Sequence, residues 1–246
     1  SSFYVDSYRG LSMNSWMLAL TALINRSGSM VLPFMGLYLK ESEAFDLSQV
    51  GILLALYGIG SAFGSLLGGM LTDKLGAFWV QFYSLSLGGL GFIVLSFVHG
   101  FYGVAAAIVL VSTLAESLRP ANMSAIAQYA KPENITRAIS LNRMAINLGF
   151  SIGPAIGGVL ALYNYKYIFW FDGATCILAS GMFFLYFHKQ EARSIPKPKT
   201  APIQDLVNVL KDKVYRRFIL YAMMYAILFF QIFNSIPLYL RGPGQA

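Results

Sequence analysis

The sequence predicts an all-α membrane protein, and three observations support this fold class. First, 57% of the 246 residues are hydrophobic and only 12% are charged, whereas soluble globular domains carry about 25% charged residues. Second, the mean hydropathy is +0.59. Third, seven apolar runs are each long enough to cross about 30 Å of hydrocarbon as a helix. These runs are Ser15–Leu39, Ser48–Leu71, Phe78–Val98, Phe101–Ala127, Ala138–Leu162, Tyr167–Phe187 and Phe218–Leu240.

The runs are continuous and most are separated by short polar breaks. Strands of an outer-membrane barrel would instead alternate polar and apolar residues in segments of about ten, so helices are favoured. Lys131–Arg137 contains a proline, and the longer stretch His188–Arg217 is charged and holds three prolines, which is typical of a linker. We therefore expect three parts, which are a six-helix bundle over 1–188, a linker over 189–215 and a seventh helix within 216–246.

Lys and Arg residues set the predicted orientation, because cytoplasmic loops of membrane proteins carry an excess of them. With the N-terminus inside, the cytoplasmic segments hold twelve of the 18 Lys and Arg residues, the outer segments hold three, and three lie within helices. This distribution explains the net charge of +7 without a nucleic-acid partner. The first apolar run is full length, so we expect a signal anchor rather than a cleaved signal peptide. The expected location is the inner membrane of the cell, with the N-terminus cytoplasmic.

The linker contains a candidate amphipathic helix. Ile203, Leu206, Leu210 and Val214 recur at helical spacing, and Pro202 suits the first turn. We expect this helix to lie along the cytoplasmic surface of the membrane. The alternative is a solvated tether in which the spacing of four apolar residues is accidental.

Five ionisable residues lie within the apolar runs. An ionisable side chain at bilayer depth costs roughly 2.5–3.5 kcal/mol on insertion scales and needs a partner or a water-filled cavity. Arg26 lies near the middle of the first helix beside Asn25, where it cannot easily reach the interface, so we expect it to face a cavity. Asp172 in the sixth helix is predicted to be a structural partner for Lys166 or a proton site. The other three ionisable residues are Glu116, Arg119 and Arg143.

The fourth helix carries a polar stripe. Ser112, Glu116, Arg119 and Asn122 are spaced by four, three and three residues, which places them on one helical face and suggests a cavity wall. The simpler alternative is that Glu116 and Arg119 only neutralise each other inside the bundle. The stripe continues to Asn122, which an ion pair does not require.

In the fifth helix, Arg143 and Asn147 share a face at i,i+4 spacing, and we expect both to contact substrate. Alternatively, Arg143 snorkels to the interface, because it lies about 9 Å from the cytoplasmic end by helical rise. Arginines outnumber acids three to two among the five intramembrane residues. We therefore hypothesise a substrate carrying a carboxylate or another anion, or compensating acids on helices outside this chain. Glu116 is the better proton-carrier candidate, because movement of the neighbouring arginine would change how strongly its carboxyl holds a proton.

Glycines recur every four residues in two helices. They are Gly60, Gly64 and Gly68 in the second helix and Gly149, Gly153 and Gly157 in the fifth. Small residues at this spacing let helix backbones approach closely. Pro154, inside the second series, makes a bend that neighbouring helices must accommodate. We expect helices two and five to form a moving interface through these glycines.

Two segments resemble signatures of the major facilitator superfamily. Gly69-Met-Leu71-Thr-Asp73-Lys74-Leu-Gly76, between the second and third helices, is similar to the loop signature Gly-x-Leu-x-Asp-x-x-Gly. It departs from the family pattern at Ala77-Phe78, where two basic residues are usual. The segment Gly149–Gly158, with its Gly153-Pro154 and Gly157-Gly158 pairs, is similar to the fifth-helix antiporter signature. The resemblance implies two six-helix bundles that rock about a midplane site, with Gly69, Asp73, Lys74 and Gly76 acting in gating.

Under this resemblance the chain supplies one bundle, the linker and the first helix of a second bundle that is otherwise missing. The fifth-helix pattern is similar to that of proton-coupled drug antiporters, and we favour proton-coupled efflux. Asn25-Arg26 and Arg119-Pro120 resemble proton-coupled peptide transporters, so uptake of peptides or other carboxylate-bearing solutes is the alternative. The expected substrate-binding residues are Asn25, Arg26, Glu116, Arg119, Asn122, Arg143 and Asn147, with Glu116 and Asp172 as proton-coupling residues.

Other functional classes fit less well. A retinal protein needs a lysine in its last helix, and Phe218–Leu240 contains none. An intramembrane enzyme needs a convergent nucleophile or metal set, but His99 and His188 lie at helix ends and Cys176 is the only cysteine. We expect no enzymatic activity, no cofactor and no metal. The expected partners are a small-molecule substrate, protons and the lipid bilayer, and a non-transporting receptor or scaffold is the alternative of another class.

Overall fold

The computed structural model describes residues 10–191 and 211–240, which contain α-helices and a 3₁₀ turn but no strand. The chain divides into two compact units, 1–198 and 199–246. The first unit contains α1 Met13–Ser27, α2 Val31–Glu41, α3 Leu47–Leu75, α4 Ala77–Leu95, α5 Phe101–Glu116, α6 Leu118–Tyr129, the 3₁₀ turn Pro132–Asn134, α7 Ile135–Tyr163 and α8 Lys166–Glu191. The second unit contains α9 Lys213–Leu240. The predicted all-α class is confirmed.

Within the described part of the first unit, six stretches are long and apolar enough to cross a membrane. They are Met13–Glu41, Leu47–Leu75, Ala77–Leu95, Phe101–Tyr129, Pro132–Tyr163 and Lys166–Gln190. A helix of 29 residues such as α3 is about 43 Å long at 1.5 Å per residue, which exceeds the hydrocarbon thickness of about 30 Å. The first six predicted runs are thus confirmed as helical spans. In the second unit, α9 contains the seventh predicted run.

The predicted linker falls largely outside the described residues. α8 continues past the expected bundle boundary at 188 to Glu191, and α9 begins at Lys213. Three positions of the expected amphipathic helix, Ile203, Leu206 and Leu210, lie outside the described ranges, whereas Val214 lies in the first turn of α9. The surface helix and the three-part division therefore stay predictions.

The first span, formed by α1 and α2, is interrupted at Gly28–Met30, where one continuous helix was expected. Pro33 gives a local cause, because in a continuous helix it would clash with the carbonyl of Ser29 and leave it without a donor. In the first turn of α2 the same proline is tolerated. A second cause is close packing on α8, since a Cβ added at Gly28 would lie 2.9 Å from the Cβ of Thr175.

The fourth span, formed by α5 and α6, is interrupted at Ser117. The Ser117 hydroxyl lies 2.9 Å from the carbonyl oxygen of Gly64 in α3 and 2.8 Å from that of Thr113 one turn earlier. A serine hydroxyl bonded back to its own helix competes with the regular backbone bonds and often bends the helix. The predicted polar stripe from Ser112 to Asn122 consequently lies on two helices rather than on one.

The two ends of α3 are fixed by local interactions. At its start, Asp46 Oδ1 accepts the N–H of Gln49 at 2.8 Å, and Gln49 Oε1 accepts the N–H of Asp46 at 3.2 Å, which together form a capping box. At its end, Gly76 is the single residue before α4 and has φ +92°, a conformation that favours glycine. The short reversal brings the third span back beside the second.

The predicted gating motif lies mainly in the last turns of α3. Gly69, Asp73 and Lys74 are helical, and the loop expected over this segment is reduced to Gly76, because one glycine with positive φ is enough to reverse the chain. Asp73 and Lys74 are exposed, and a Cβ added at Gly69 would meet no atom within 4 Å. Both charged side chains therefore lie at the surface of one end of the bundle.

The glycine face of α3 packs against the fourth span. A Cβ added at Gly64 would lie 2.7 Å from Thr113 Cα, and one added at Gly68 would lie 2.6 Å from Ser117 Cα. Thr113 Oγ1 donates to the carbonyl oxygen of Gly60 at 3.1 Å. The glycines thus let the two backbones approach closely enough for side-chain hydroxyls to bond across the interface.

The glycine face of α7 packs against the first span, next to its interruption. A Cβ added at Gly149 would lie 2.6 Å from Arg26 Cβ, and one added at Gly157 would lie 2.9 Å from Met30 Cβ. The helix continues through Pro154. Both glycine faces join helices of the same unit. The moving interface that was expected of these two spans stays a prediction.

Two apolar clusters lie at opposite ends of the six-helix unit. One combines the C-terminal part of the first span with the N-terminal parts of α3 and α5, around residues such as Met35, Leu53 and Val104. The other combines the N-terminal part of α1 with the C-terminal part of α8, around residues such as Leu18 and Phe183. Because successive spans run in opposite directions, each cluster occupies one end. Buried polar side chains, among them Asn25, Glu116 and Asp172, lie at the level between them.

Candidate functional site

Two adjoining cavities occupy the level between the apolar clusters, with volumes of about 130 Å³ and about 290 Å³. We call the smaller one the acid-lined cavity, because Glu116 and Asp172 line it. We call the larger one the arginine-lined cavity, because Arg26, Arg119 and Arg143 line it and none of its lining residues is a carboxylate. The two cavities share the lining residues Asn25, Arg26, Leu85, Leu118, Arg119 and Phe150.

Glu116 and Arg119 form the ion pair that their spacing predicted. Arg119 Nε contacts Glu116 Oε2, and the two side chains are 63% and 10% exposed, respectively. Glu116 ends α5 and Arg119 lies in the first turn of α6, so the interruption at Ser117 lies between them. Both residues also line the acid-lined cavity. Glu116 and Arg119 therefore neutralise each other and also line the cavity, so the two interpretations of the stripe do not exclude each other.

Arg26 lies in the wall shared by both cavities. Its guanidinium carbon is 5.3 Å from the centre of the Phe150 ring on α7, a cation–π geometry that partly compensates for the loss of water. The neighbouring Asn25 is buried, and its Nδ2 donates to Cys176 Sγ at 3.2 Å. The prediction that Arg26 faces a cavity is consistent with this placement.

Asp172 is buried, and the backbone of the first span supplies its partner. Its Oδ2 accepts the N–H of Val31 at 3.3 Å, which is the first residue of α2. A carboxylate at a helix N-terminus satisfies an unpaired N–H and complements the helix dipole. Lys166, the partner considered from the sequence, instead lies 5.9 Å from the centre of the Phe97 ring. Asp172 is therefore a cap for the broken first span and is not the ion-pair partner of Lys166.

The remaining predicted residues are divided between the cavities and other surroundings. Arg143 is exposed and lines the arginine-lined cavity, whereas Asn147 is exposed and lines neither cavity. Asn122 lines the arginine-lined cavity and accepts a hydrogen bond from Asn142 Nδ2 at 2.8 Å. Ser112 is buried against α3 and lines neither cavity. Only part of the predicted polar stripe therefore borders a cavity.

Gln81 is a cavity residue that was not predicted. It lies on α4, lines the arginine-lined cavity and is 0% exposed. Neither its amide nitrogen nor its amide oxygen has a hydrogen-bond partner within the protein. A lone glutamine in the apolar run Phe78–Val98 was a usable signal, because polar groups at bilayer depth need partners.

The histidines lie away from both cavities. His99 Nδ1 is 3.0 Å from Glu43 Oε1 at the end of the bundle, and the His188 ring lies 5.2 Å from the ring of Phe184. Within residues 10–191 and 211–240, no three His, Cys, Asp or Glu side chains converge as metal ligands would. The cavity chemistry in this part of the chain thus depends on carboxylates, guanidinium groups, amides and aromatic rings.

Residues 17–244 match the sequence profile of the Major Facilitator Superfamily. The chain belongs to this superfamily. It is 28% identical over 211 residues to the quinolone resistance protein NorA of Staphylococcus aureus (strain MRSA252), covering 85% of this chain and 53% of that protein. It is 24% identical over 241 residues to the multidrug resistance protein MdtH of Aeromonas salmonicida (strain A449), covering 95% of this chain and 58% of that protein. The chain spans about half the length of the curated relatives it matches.

A solved structure with the same architecture is that of a peptide transporter, POT, in complex with sulfate. The TM-score is 0.67 at 20% sequence identity, and the match covers 88% of this chain and 46% of that one. This likeness shows the fold alone. Together with the superfamily match and the six apolar helical stretches, it confirms a multi-pass integral membrane protein.

Proposed function

We propose that this superfamily chain is the first half of a secondary active transporter that exports drug-like organic compounds in exchange for protons. The names of two relatives, which refer to quinolone and multidrug resistance, support efflux. The observation that carries the proposal is the central pair of cavities, where the Glu116–Arg119 ion pair adjoins an aromatic and apolar wall. Such a site suits amphipathic solutes and provides a carboxyl that can take up a proton.

Glu116 is the proposed proton carrier. When it is ionised, its carboxylate holds the guanidinium of Arg119. When it is protonated, the attraction is lost and Arg119 is free to adopt another position. Proton uptake and solute release are linked in this way through one ion pair. A second six-helix bundle completes the site, and the two bundles rock about it in alternating access.

The test is proton-driven transport by the full-length protein in proteoliposomes, with tetraphenylphosphonium as the transported probe. Glu116→Gln keeps the side-chain size but removes the charge. We expect its transport under an imposed pH gradient to fall to the level measured without a gradient. Glu133→Gln, which changes an exposed acid outside both cavities, is the matched control and should transport as the wild type does.

The outcomes separate the hypotheses. Gradient-driven transport that survives in Glu116→Gln would show that another group carries the proton. If the wild type moves neither tetraphenylphosphonium, nor a dipeptide, nor an organic anion, the chain is better explained as part of a non-transporting receptor or scaffold.

The second candidate function is proton-coupled uptake of peptides or other carboxylate-bearing solutes. Arg26, Arg119 and Arg143 line one cavity without an acid among its lining residues, which favours an anionic group there. Accumulation of dialanine by the same proteoliposomes under an inward proton gradient, without transport of tetraphenylphosphonium, would favour this alternative over drug efflux.

We also propose that the protein lies in the inner membrane of the cell with its N-terminus in the cytoplasm. This orientation follows from the excess of Lys and Arg in the segments on that side. Asp73 and Lys74, exposed at the end of α3, would then lie at the cytoplasmic surface. They are the proposed gating residues, together with Gly69 and Gly76.

A further inference from the structure

The arginine-lined cavity contains two polar groups that have no polar partner within the described residues. Gln81 is fully buried, and both polar atoms of its amide lack a hydrogen-bond partner. Arg143 lines the same cavity from α7, and no ion pair joins it to an acid in the described ranges. An unpaired amide and an unpaired guanidinium therefore border one space of about 290 Å³.

The buried amide of Gln81 needs a hydrogen-bond partner, and that partner would have to enter the cavity. Nearly all buried polar groups in folded proteins are hydrogen-bonded, and the hydrocarbon around a membrane bundle offers no donors or acceptors. The nearby asparagines do not fill this role. Asn25 is bonded to Cys176 and Asn122 to Asn142, so their contacts are made within the protein.

The positive charge of the cavity lining favours a ligand with a negative charge. Three guanidinium groups line it, from Arg26, Arg119 and Arg143, without a carboxylate. Arg119 is paired with Glu116, and Arg26 lies over the ring of Phe150. Arg143 is therefore the guanidinium whose charge is least compensated. A guanidinium binds a carboxylate through two parallel N–H donors.

We propose that the arginine-lined cavity is a subsite for the carboxylate of a transported amphipathic solute. Arg143 pairs with its charge, and the Gln81 amide nitrogen donates a hydrogen bond to one of its oxygens. The apolar remainder of the solute lies against Met123, Ile146 and Phe150, which line the same cavity. The inference rests on the proposed function only in treating the ligand as a transported solute.

The test is binding of radiolabelled 2-naphthoate to the full-length protein in detergent, with methyl 2-naphthoate as a competitor of the same shape without charge. We expect the wild type to bind the carboxylate about tenfold more tightly than the ester, because one charge-assisted contact supplies about that factor. Arg143→Gln should abolish this preference. Gln81→Met, which keeps the length of the side chain, should weaken naphthoate binding about tenfold. Ester binding should weaken less, because the ester carbonyl accepts only a neutral hydrogen bond.

Two further variants make the result specific. Gln81→Glu places a negative charge beside the ligand and should weaken naphthoate binding more than Gln81→Met does. Gln128→Met changes an exposed glutamine on α6 that lines neither cavity and should bind both ligands as the wild type does. Ester binding reports whether each variant is folded.

The proposal is overturned if the wild type shows no preference for the carboxylate, or if Gln81→Met binds naphthoate with wild-type affinity. In the second case a bound water, and not a ligand, satisfies the amide. Transport distinguishes the two proposals. Flux of tetraphenylphosphonium without naphthoate binding refutes the subsite alone. Naphthoate binding that depends on Arg143 and Gln81, with no flux of any solute, refutes the transporter.

Discussion

At the scale of single residues, Asp172 shows how a buried carboxyl can serve the fold of a membrane bundle. The interruption of the first span leaves the N–H of Val31 without a partner in its own helix. Asp172 Oδ2 accepts this N–H, while Oδ1 lies 3.7 Å from Cys176 Sγ. The carboxyl also lines the acid-lined cavity. A capping role and a proton-carrying role make different demands on it, because only the second requires a group that ionises.

Substitutions at position 172 separate these roles. Asp172→Ala removes the acceptor, so we expect the free energy of unfolding in detergent to fall by about 1–2 kcal/mol, the usual cost of a lost cap. Asp172→Asn keeps an acceptor oxygen and should lose less. Glu133→Gln, which changes an exposed acid outside both cavities, serves as the control. If Asp172→Asn is stable but its pH-driven transport stops, Asp172 carries a proton in addition to capping the helix.

At the scale of helices, long apolar runs predicted the six spans because length and hydropathy alone decide whether a helix can cross a bilayer. The interruptions were harder to predict. Pro33 was a local signal, but the break also depends on Gly28 lying against α8. The break at Ser117 depends partly on its bond to Gly64 in another helix. Such contacts between distant segments cannot be derived from periodicity.

The sequence also predicted part of the candidate site, namely its ionisable residues. Arg26, Glu116, Arg119 and Arg143 were identified because ionisable residues are conspicuous in apolar helices, and all four line a cavity. The importance of Gln81 rests on its lack of partners, which only the folded bundle shows. A shared face at i,i+4 spacing was not enough to bring Asn147 into the cavity beside Arg143.

The glycine face of α3 gives a matched test of helix packing. A Cβ added at Gly64 would lie 2.7 Å from Thr113 Cα, whereas one added at Gly58 would meet no atom within 4 Å. Gly64→Ala should therefore lower the free energy of unfolding by about 1–3 kcal/mol through overpacking. Gly58→Ala should be neutral or stabilising by up to about 1 kcal/mol, since alanine favours the helix. Equal effects in thermal unfolding would show that this interface is not tightly packed.

At the scale of the whole molecule, the ionisable side chains within the spans lie between two buried apolar clusters. The clusters occupy the two ends of the six-helix unit, and the cavities lined by Arg26, Glu116, Arg119 and Asp172 lie between them. Most Lys and Arg residues lie between the apolar runs, in the segments assigned to the cytoplasm, including Lys131 and Arg137. This asymmetry predicts which end of the bundle faces which compartment.

Labelling of two exposed positions tests that orientation. Tyr102, at the start of α5, is 87% exposed, and Glu133, in the 3₁₀ turn at the opposite end, is also exposed. In intact cells a membrane-impermeant maleimide should label Tyr102→Cys, whereas Glu133→Cys should be labelled only after permeabilisation, because its neighbours are basic. The native Cys176 is buried, so the unsubstituted protein gives the background. The reverse pattern would place the N-terminus outside the cytoplasm and would contradict the proposed orientation.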